Sequence, residues 1–429
     1  MKPIGLENRK KSILIALLLL LPIILIILWN APALLKEEDK IDLSPLEVAA
    51  GESTVFTVKT SSGNGIVRLP NNTIPLFEEG ASTIRNLTFS ENEFVFEILI
   101  PPNAGIIDIT VEAGDSSKTF AINVITANDP LISGKKIYER MDYVTTESNR
   151  IFHRVTGHPQ LGNGALYFRD VFRDFGLEAE VVAYEVPLSG DTLRDKARGV
   201  LVWNVVAYRW GRNTKEWIVL GGHYDMSPAT IEGAYDNTAG TNTVVEIARG
   251  LSQIKTNKTI VFGLWSGEEE GLLGAQEFVE SIPDDVEVKT YLNFDMVGIN
   301  YPAPYSLRAI VGPDEDPEVI ENQHLVNLTN RTAQEILGYP YPEGVDVYEE
   351  SHRGSDHYRF EQIGVPIVFF YGQSANDYDA YHTRDDTLQE MESVAGGKEN
   401  LEAGFDTVAW MGFYLTLLLD DDNIVHQQI

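Results

Sequence analysis

From about residue 129 onward, short apolar runs that read as strands alternate with segments whose apolar residues recur at helical spacing. That alternation confines the region to an α/β architecture with a largely parallel, covered sheet. Phe168, Val171, Phe172 and Phe175 fall at helical spacing, and Gly176 is placed to stop that helix. Stretches 180–186, 200–208 and 217–221 read as strands, and 259–265 and 290–296 as buried ones. Residues 241–251 read as a helix with Val244, Ile247, Ala248 and Leu251 on one face, and 318–337 as another. A strand is expected at 367–371, entered by Pro366. The last helix starts near Thr387, whose spacing to Glu390 suits a capping box, and runs to about 419 with an interruption at Gly396-Gly397. Its apolar tail contains Asp406 and Gly412 and reads as core rather than as a membrane span. Stretch 301–350, rich in Pro and Glu, breaks the rhythm and is expected to form a lid insertion.

Residues 41–127 have a different texture. Stretches 55–60, 94–100, 106–112 and 118–125 are short and rich in β-branched and aromatic residues. Ile107, Ile109 and Val111 alternate with Asp108, Thr110 and Glu112, and Phe120, Ile122 and Val124 repeat the pattern. Gly114-Asp115 supplies the turn between them. Six to eight such strands predict a small all-β sandwich of immunoglobulin-like type, acting as a spacer or as a partner beside the site. Ahead of it, Arg9, Lys10 and Lys11 close a short segment, 1–11, and precede an uncharged stretch, 12–35. This predicts a transmembrane signal anchor with a cytoplasmic N-terminus and everything from 41 onward outside. A cleaved signal peptide is the alternative, since Ala31-Pro32-Ala33 loosely resembles a processing site. The net charge of -31 excludes a phosphate-backbone partner such as nucleic acid. With no Cys, neither a disulfide nor a thiolate metal site is possible.

Metal-type ligands cluster where the expected strands of residues 129–429 end. His223 and Asp225 follow the strand ending at Gly221, Glu268 and Glu269 follow the one ending at Trp265, and Asp295 closes the one begun near Thr290. His382 lies in the loop after 367–371. In open α/β sheets ligands bind beyond the carboxyl ends of the strands, so these donors share one rim. Imidazoles with carboxylates suit zinc, and such a set can build a two-metal site for hydrolysis. Asp225, two residues past His223, could accept a hydrogen bond from that imidazole and fix its tautomer. Of the pair Glu268-Glu269, one side chain can bind metal while the other faces a water as general base. The competing reading is an acidic helix start favoured by the helix dipole, which Glu270 fits better.

Several segments together resemble the co-catalytic zinc aminopeptidases and their relatives, peptidase family M28. They are Gly222-His223-Tyr224-Asp225, the run from Gly233 to Gly240 around Asp236, the run from Trp265 to Gly274, Asn293-Phe294-Asp295-Met296, Ser355-Asp356-His357 and Tyr381-His382-Thr383 with Asp386-Thr387. The resemblance covers roughly 130–420 and implies a three-layer zinc-peptidase fold with a mixed, mostly parallel central sheet. It implies that Asp236 bridges two zinc ions, that His223 and Asp295 complete one set of protein ligands, and that Glu269 and His382 complete the other. It further implies Glu268 as general base toward a metal-activated water, and Tyr381 as an aid to the developing oxyanion. Ser355, Asp356 and His357 would shape the pocket wall, with His357 equally open to a purely structural role. The implied activity is that of an exopeptidase, foremost an aminopeptidase acting on peptides. An amine anchor would come from Asp346, Glu349 or Glu350, whereas Arg353 or Arg384 would suit a carboxypeptidase. A glutaminyl-cyclase-like acyltransferase with one metal and a membrane receptor or adhesion module remain alternatives.

Overall fold

The computed structural model describes residues 40–77, 80–82, 84–186, 200–300, 307–312, 322–338, 344–350, 352–372 and 377–421. The expected membrane span at 12–35 lies outside these residues. Among the described residues no helix is long and apolar enough to cross a membrane.

Residues 41–125 form two five-stranded sheets. One runs in the order β1 (Ile41–Ser44), β3 (Ser53–Thr60), β8 (Glu93–Leu99), β5 (Ile74–Phe77), β6 (Gly80–Ala81). The other runs β2 (Glu47–Ala49), β10 (Ser116–Ile125), β9 (Ile106–Ala113), β4 (Gly65–Arg68), β7 (Asn86–Phe89). The sequence suggested six to eight strands, and the additional short ones pair at sheet edges. Strands β9 and β10 form a hairpin in which Ala113 pairs with Ser116, so Gly114-Asp115 is the loop. Gly114 sits at φ 58°, a left-handed backbone that glycine adopts without steric cost. Alternation fixes which face is buried: Ile107, Ile109, Val111, Phe120 and Ile122 join Phe56, Val58, Phe96 and Ile98 in a core between the sheets.

The remainder is built on an eight-stranded sheet in the order β11 (Glu178–Val186), β12 (Val200–Arg209), β14 (Lys258–Trp265), β13 (Asn213–His223), β15 (Glu287–Phe294), β18 (Ile367–Tyr371), β16 (Leu307–Gly312), β17 (Val345–Glu349). The four central strands, β14, β13, β15 and β18, run parallel. Strands β11 and β12 add antiparallel on one flank, and β16 adds antiparallel to β18 on the other. Within the stretch expected as a lid, 301–350, two of the described pieces are β16 and β17, which extend the sheet. The helix expected over 318–337 is shorter where described, Gln323–Arg331 followed by a wider turn, Thr332–Ile336.

Period-two alternation sends the strand side chains to opposite faces. Ile218, Leu220, Ile260, Phe262, Leu264, Leu292 and Phe294 pack under helices Gly134–Thr145, Pro159–Asp174, Ala239–Leu251 and Lys398–Asp420. Val219, Val261, Trp265 and Tyr291 pack against helices Leu273–Ser281 and His357–Glu361. Both faces are thus covered, which is why these strands read as continuous apolar runs. Thr387 caps Leu388–Ala395, its Oγ1 accepting from the Glu390 N–H at 3.1 Å. Gly396 and Gly397, at φ 79° and 126°, then break the chain before Lys398–Asp420. That last helix also carries the sandwich. Ile74, Ala81 and Leu99 join the larger core, and the Trp410 ring lies so close to Gly51 that a Cβ there would stand 2.8 Å from it.

Candidate metal centre

Every expected ligand lies at the carboxyl-terminal rim of the central strands. His223 is the last residue of β13, and Asp295 directly follows β15. Glu268 and Glu269 occupy the turn between β14 and helix Leu273–Ser281, and His382 follows β18. Asp236 sits in the turn Ala234–Thr238 that opens into helix Ala239–Leu251. The glycine before His223 has a packing reason. A Cβ at Gly222 would stand 2.5 Å from the Phe294 carbonyl oxygen, so only glycine lets β13 deliver the imidazole this close to β15.

The side chains form two groups that share Asp236. His223, Asp236 and Asp295 bring ligand atoms within 4.8 Å of one another, and so do Asp236, Glu269 and His382. His223 Nε2 lies 3.1 Å from Asp236 Oδ1 and 3.5 Å from Asp295 Oδ1. His382 Nε2 lies 3.0 Å from Asp236 Oδ2 and 3.1 Å from Glu269 Oε2. One oxygen of Asp236 therefore faces each imidazole. The His223 side chain is 1% exposed and that of His382 36%, so one group is closed and the other opens to solvent. His223 Nε2, Asp295 Oδ1 and Glu269 Oε1 are buried and make no hydrogen bond. Buried polar atoms are normally paired, so unpaired atoms on three residues of the two groups fit a role as cation ligands. Imidazole and carboxylate donors in these numbers suit zinc.

Charge explains why a cation is welcome. Burial opposes a charge on His223, yet Asp295 and Glu268 nearby push its proton affinity well above the usual imidazole range. Hydrogen bonds to Asp236 and Glu269 push His382 up to about 10. Burial acts to raise Asp236, but the two imidazoles override it and hold this carboxyl well below the usual range. Burial, with the charge of Asp236, lifts Glu269 to about 7. Burial also drives Glu268 well upward; His223 opposes, while Asp356, Asp295 and Asp236 add to the rise. The Asp356 carboxyl is fully buried and neither oxygen has a partner.

A layer of hydrogen bonds holds these groups. Asp225 was expected to accept from His223 through its carboxylate; the ring Nδ1 lies 3.5 Å from Oδ1 and closer, 3.3 Å, to the Asp225 main-chain oxygen. The carboxylate also accepts from Thr156 Oγ1 at 3.1 Å and from the Glu268 N–H at 3.3 Å, tying the Glu268 turn to the end of β13. Ser355 Oγ donates to Asp295 Oδ2 at 2.7 Å and accepts from Asn293 Nδ2 at 2.8 Å. His357 Nε2 donates to the His352 carbonyl at 2.8 Å, leaving Nδ1 3.3 Å from Asn293 Nδ2. His357 is fully buried, and burial pulls this imidazole down to about 3, so it supports Asn293 in its neutral form. Asp386 accepts from the N–H groups of Tyr235 at 2.9 Å and Asp236 at 3.2 Å. Tyr381 stacks on His382 with ring centroids 3.9 Å apart and so sets the plane of that imidazole. Met296 and His382 have φ of 53° and 52°, left-handed values that side chains adopt at a cost, here at ligand-bearing turns.

Of the candidate substrate anchors, Glu349 is engaged within the insertion: its Oε1 accepts from Asn322 N at 2.9 Å and Nδ2 at 3.1 Å. Arg353 places its guanidinium 5.4 Å from the Tyr358 ring. Sequence reasoning missed Arg154, whose buried side chain touches both the His223 and Asp236 segments. No local motif marks it.

Residues 204–398 match peptidase family M28. The chain is 42% identical over 98 residues to leucine aminopeptidase 2 of Arthroderma otae, covering 22% of this chain and 20% of that protein. It is 30% identical over 199 residues to a glutamate carboxypeptidase 2 homolog of Caenorhabditis briggsae, covering 42% and 25%. The chain thus spans a fifth to a quarter of the length of these relatives. Among solved structures, a glutaminyl cyclase of Porphyromonas gingivalis superposes with a TM-score of 0.53 at 19% identity, covering 67% of this chain and 98% of that one. BSAP, a zinc aminopeptidase from Bacillus subtilis, superposes with a TM-score of 0.52 at 16% identity, covering 66% and 95%. These structural likenesses show the mixed α/β fold, and it is the family match and the aminopeptidase relative that support an M28 metallopeptidase.

Proposed function

We propose that this chain is a zinc-dependent aminopeptidase that removes N-terminal residues from peptides, held to a membrane by residues 12–35 with its catalytic part outside. The observation that carries the reading is the pair of ligand groups joined by Asp236. His223, Asp236 and Asp295 would hold one zinc ion, and Asp236, Glu269 and His382 the other. Bound zinc supplies Lewis-acid polarisation and lowers the pKa of water. Glu268 lies on the same turn as Glu269, outside both ligand groups, and burial raises its affinity for a proton, which strengthens it as a base. It takes the proton of the attacking water and passes a proton to the departing amine. Tyr381 keeps His382 in plane and borders the open side, where it would aid the developing oxyanion.

The relatives favour an amine terminus over a carboxylate terminus: identity to leucine aminopeptidase 2 is 42% over 98 residues, against 30% over 199 residues to the glutamate carboxypeptidase 2 homolog. The second complete ligand group also favours the two-cation hydrolase over acyl transfer at a single metal. The test is cleavage of one peptide in three forms: unblocked, N-acetylated and C-amidated. The unblocked and C-amidated forms should lose residues from the N-terminus and the acetylated form should survive. Release of C-terminal residues from the acetylated peptide would overturn the reading. Orientation can be checked separately, because the chain has no Cys. A cysteine placed at exposed Asn86 should react with an impermeant thiol reagent on intact cells; protection there would contradict an outward-facing body.

A further inference from the structure

Arg154 is 1% exposed, and all five of its guanidinium N–H groups are used. Nε donates to the Tyr224 carbonyl at 2.8 Å, and Nη1 to the carbonyls of Ile151 at 3.2 Å and Phe152 at 3.0 Å. Nη2 donates to the Glu232 carbonyl at 3.1 Å and to Thr238 Oγ1. None of these acceptors is a carboxylate, so this is not an ion pair added for stability. A buried charge without a bonded counter-ion is costly, and it persists where its hydrogen bonds hold something in place.

What it holds follows from where the acceptors lie. Tyr224 is the neighbour of His223, while Glu232 and Thr238 flank Asp236. Thr238 Oγ1 donates in turn to the Gly233 carbonyl at 2.7 Å, closing the turn that carries Asp236. One side chain therefore ties together the two segments whose ligands face each other at 3.1 Å. The group His223, Asp236 and Asp295 draws ligands from both clamped segments. The group Asp236, Glu269 and His382 draws one, and the Asp236 main chain has a second anchor in Asp386.

We propose that Arg154 is a positioning residue for the metal centre, setting the separation of His223 and Asp236 and thereby the affinity of the His223–Asp236–Asp295 group, with little influence on the group containing His382. The proposal rests on the two-zinc reading above. The test uses the full chain, stripped of metal and titrated with zinc against a chromophoric chelator, with thermal unfolding followed in parallel. Arg154→Lys keeps the charge but cannot reach five acceptors. Thr238→Val removes one acceptor and leaves the guanidinium in place. Wild-type chain should bind two equivalents. In Arg154→Lys one equivalent should weaken about 10–100-fold while the other stays within about threefold, and Thr238→Val should weaken the same equivalent less. In an Asp295→Ala background, where that equivalent is already weakened, Arg154→Lys should add little. Equal weakening of both equivalents in step with a lower unfolding midpoint would reduce Arg154 to a structural role and overturn the proposal, as would unchanged affinities. Should Arg154→Lys fail to fold, Thr238→Val decides, and two unaltered equivalents there reject the clamp. Failure of the wild-type chain to bind zinc would strike the metal centre itself and the clamp with it.

Discussion

Asp236 divides its two oxygens between two imidazoles, and its neighbours on each side have separate tasks. Glu269 faces His382 as a ligand-type group, whereas Glu268, one residue earlier, is held by its main chain to Asp225 and stays outside both groups. Glu268→Gln should keep fold and metal and lower kcat by about 10²–10⁴-fold. Unchanged turnover would remove Glu268 from the role of base. Near neutral pH the metal-free chain carries a proton on His382, which Asp236 and Glu269 push up to about 10. A metal ligand must be unprotonated, so zinc uptake should release that proton, and apparent affinity should rise about tenfold per pH unit for each proton released. Titration calorimetry in buffers of different ionisation enthalpy checks this; heats independent of buffer would contradict it. At this scale the ligand types were legible because His223 and the Glu268-Glu269 pair sit in short glycine-bearing motifs at strand ends, and Asp295 closes another strand. Arg154 was not legible, because the acceptors that tie it to the site, the Tyr224 and Glu232 carbonyls and Thr238 Oγ1, lie about 70 to 84 residues away in sequence, which no local pattern encodes.

Strand ends deliver the ligands, and helix Lys398–Asp420 fixes the layer behind them. Asp406 on this helix accepts from the Gly134 N–H at 2.7 Å at the start of helix Gly134–Thr145. Burial raises its carboxyl to about 6; the Gly134 bond opposes, and Glu246 and Glu402 add. The folded state thus holds this proton more tightly than the unfolded chain, whose carboxyl stays near 3.8. The stability it contributes is present below that value and is lost as pH rises through about 6. Asp406→Asn keeps an acceptor for Gly134 and should flatten the decline in urea midpoint between pH 4 and 6; an unaltered slope would refute the assignment. Element type was legible wherever an apolar run was long and regular, as in β14, buried throughout. Strands β16 and β17 escaped because they add to the sheet beyond β18, inside a Pro- and Glu-rich stretch that breaks the βα rhythm.

The sandwich and the α/β body form one folded unit through the last helix. Ile74, Ala81 and Leu99 are buried in the larger core, and the Gly51 carbonyl accepts from the Leu131 N–H at 3.0 Å. The sandwich is therefore more than the spacer that the sequence left open. Trp410→Ala should cost about 3–5 kcal/mol of unfolding free energy, because it opens a cavity where Gly51 meets the helix. A loss below about 1 kcal/mol would show that the two parts are only loosely apposed. The chain as a whole is strongly acidic, at -31, and the same acidity concentrates around the rim where the ligands meet. Counting the cations bound there tests the central claim most directly. Elemental analysis of zinc-loaded full chain after removal of free metal should give two zinc per wild-type chain and, because Asp236 belongs to both groups, a loss at both sites in Asp236→Ala. A single zinc in the wild type, or two retained in Asp236→Ala, would contradict a bridged pair.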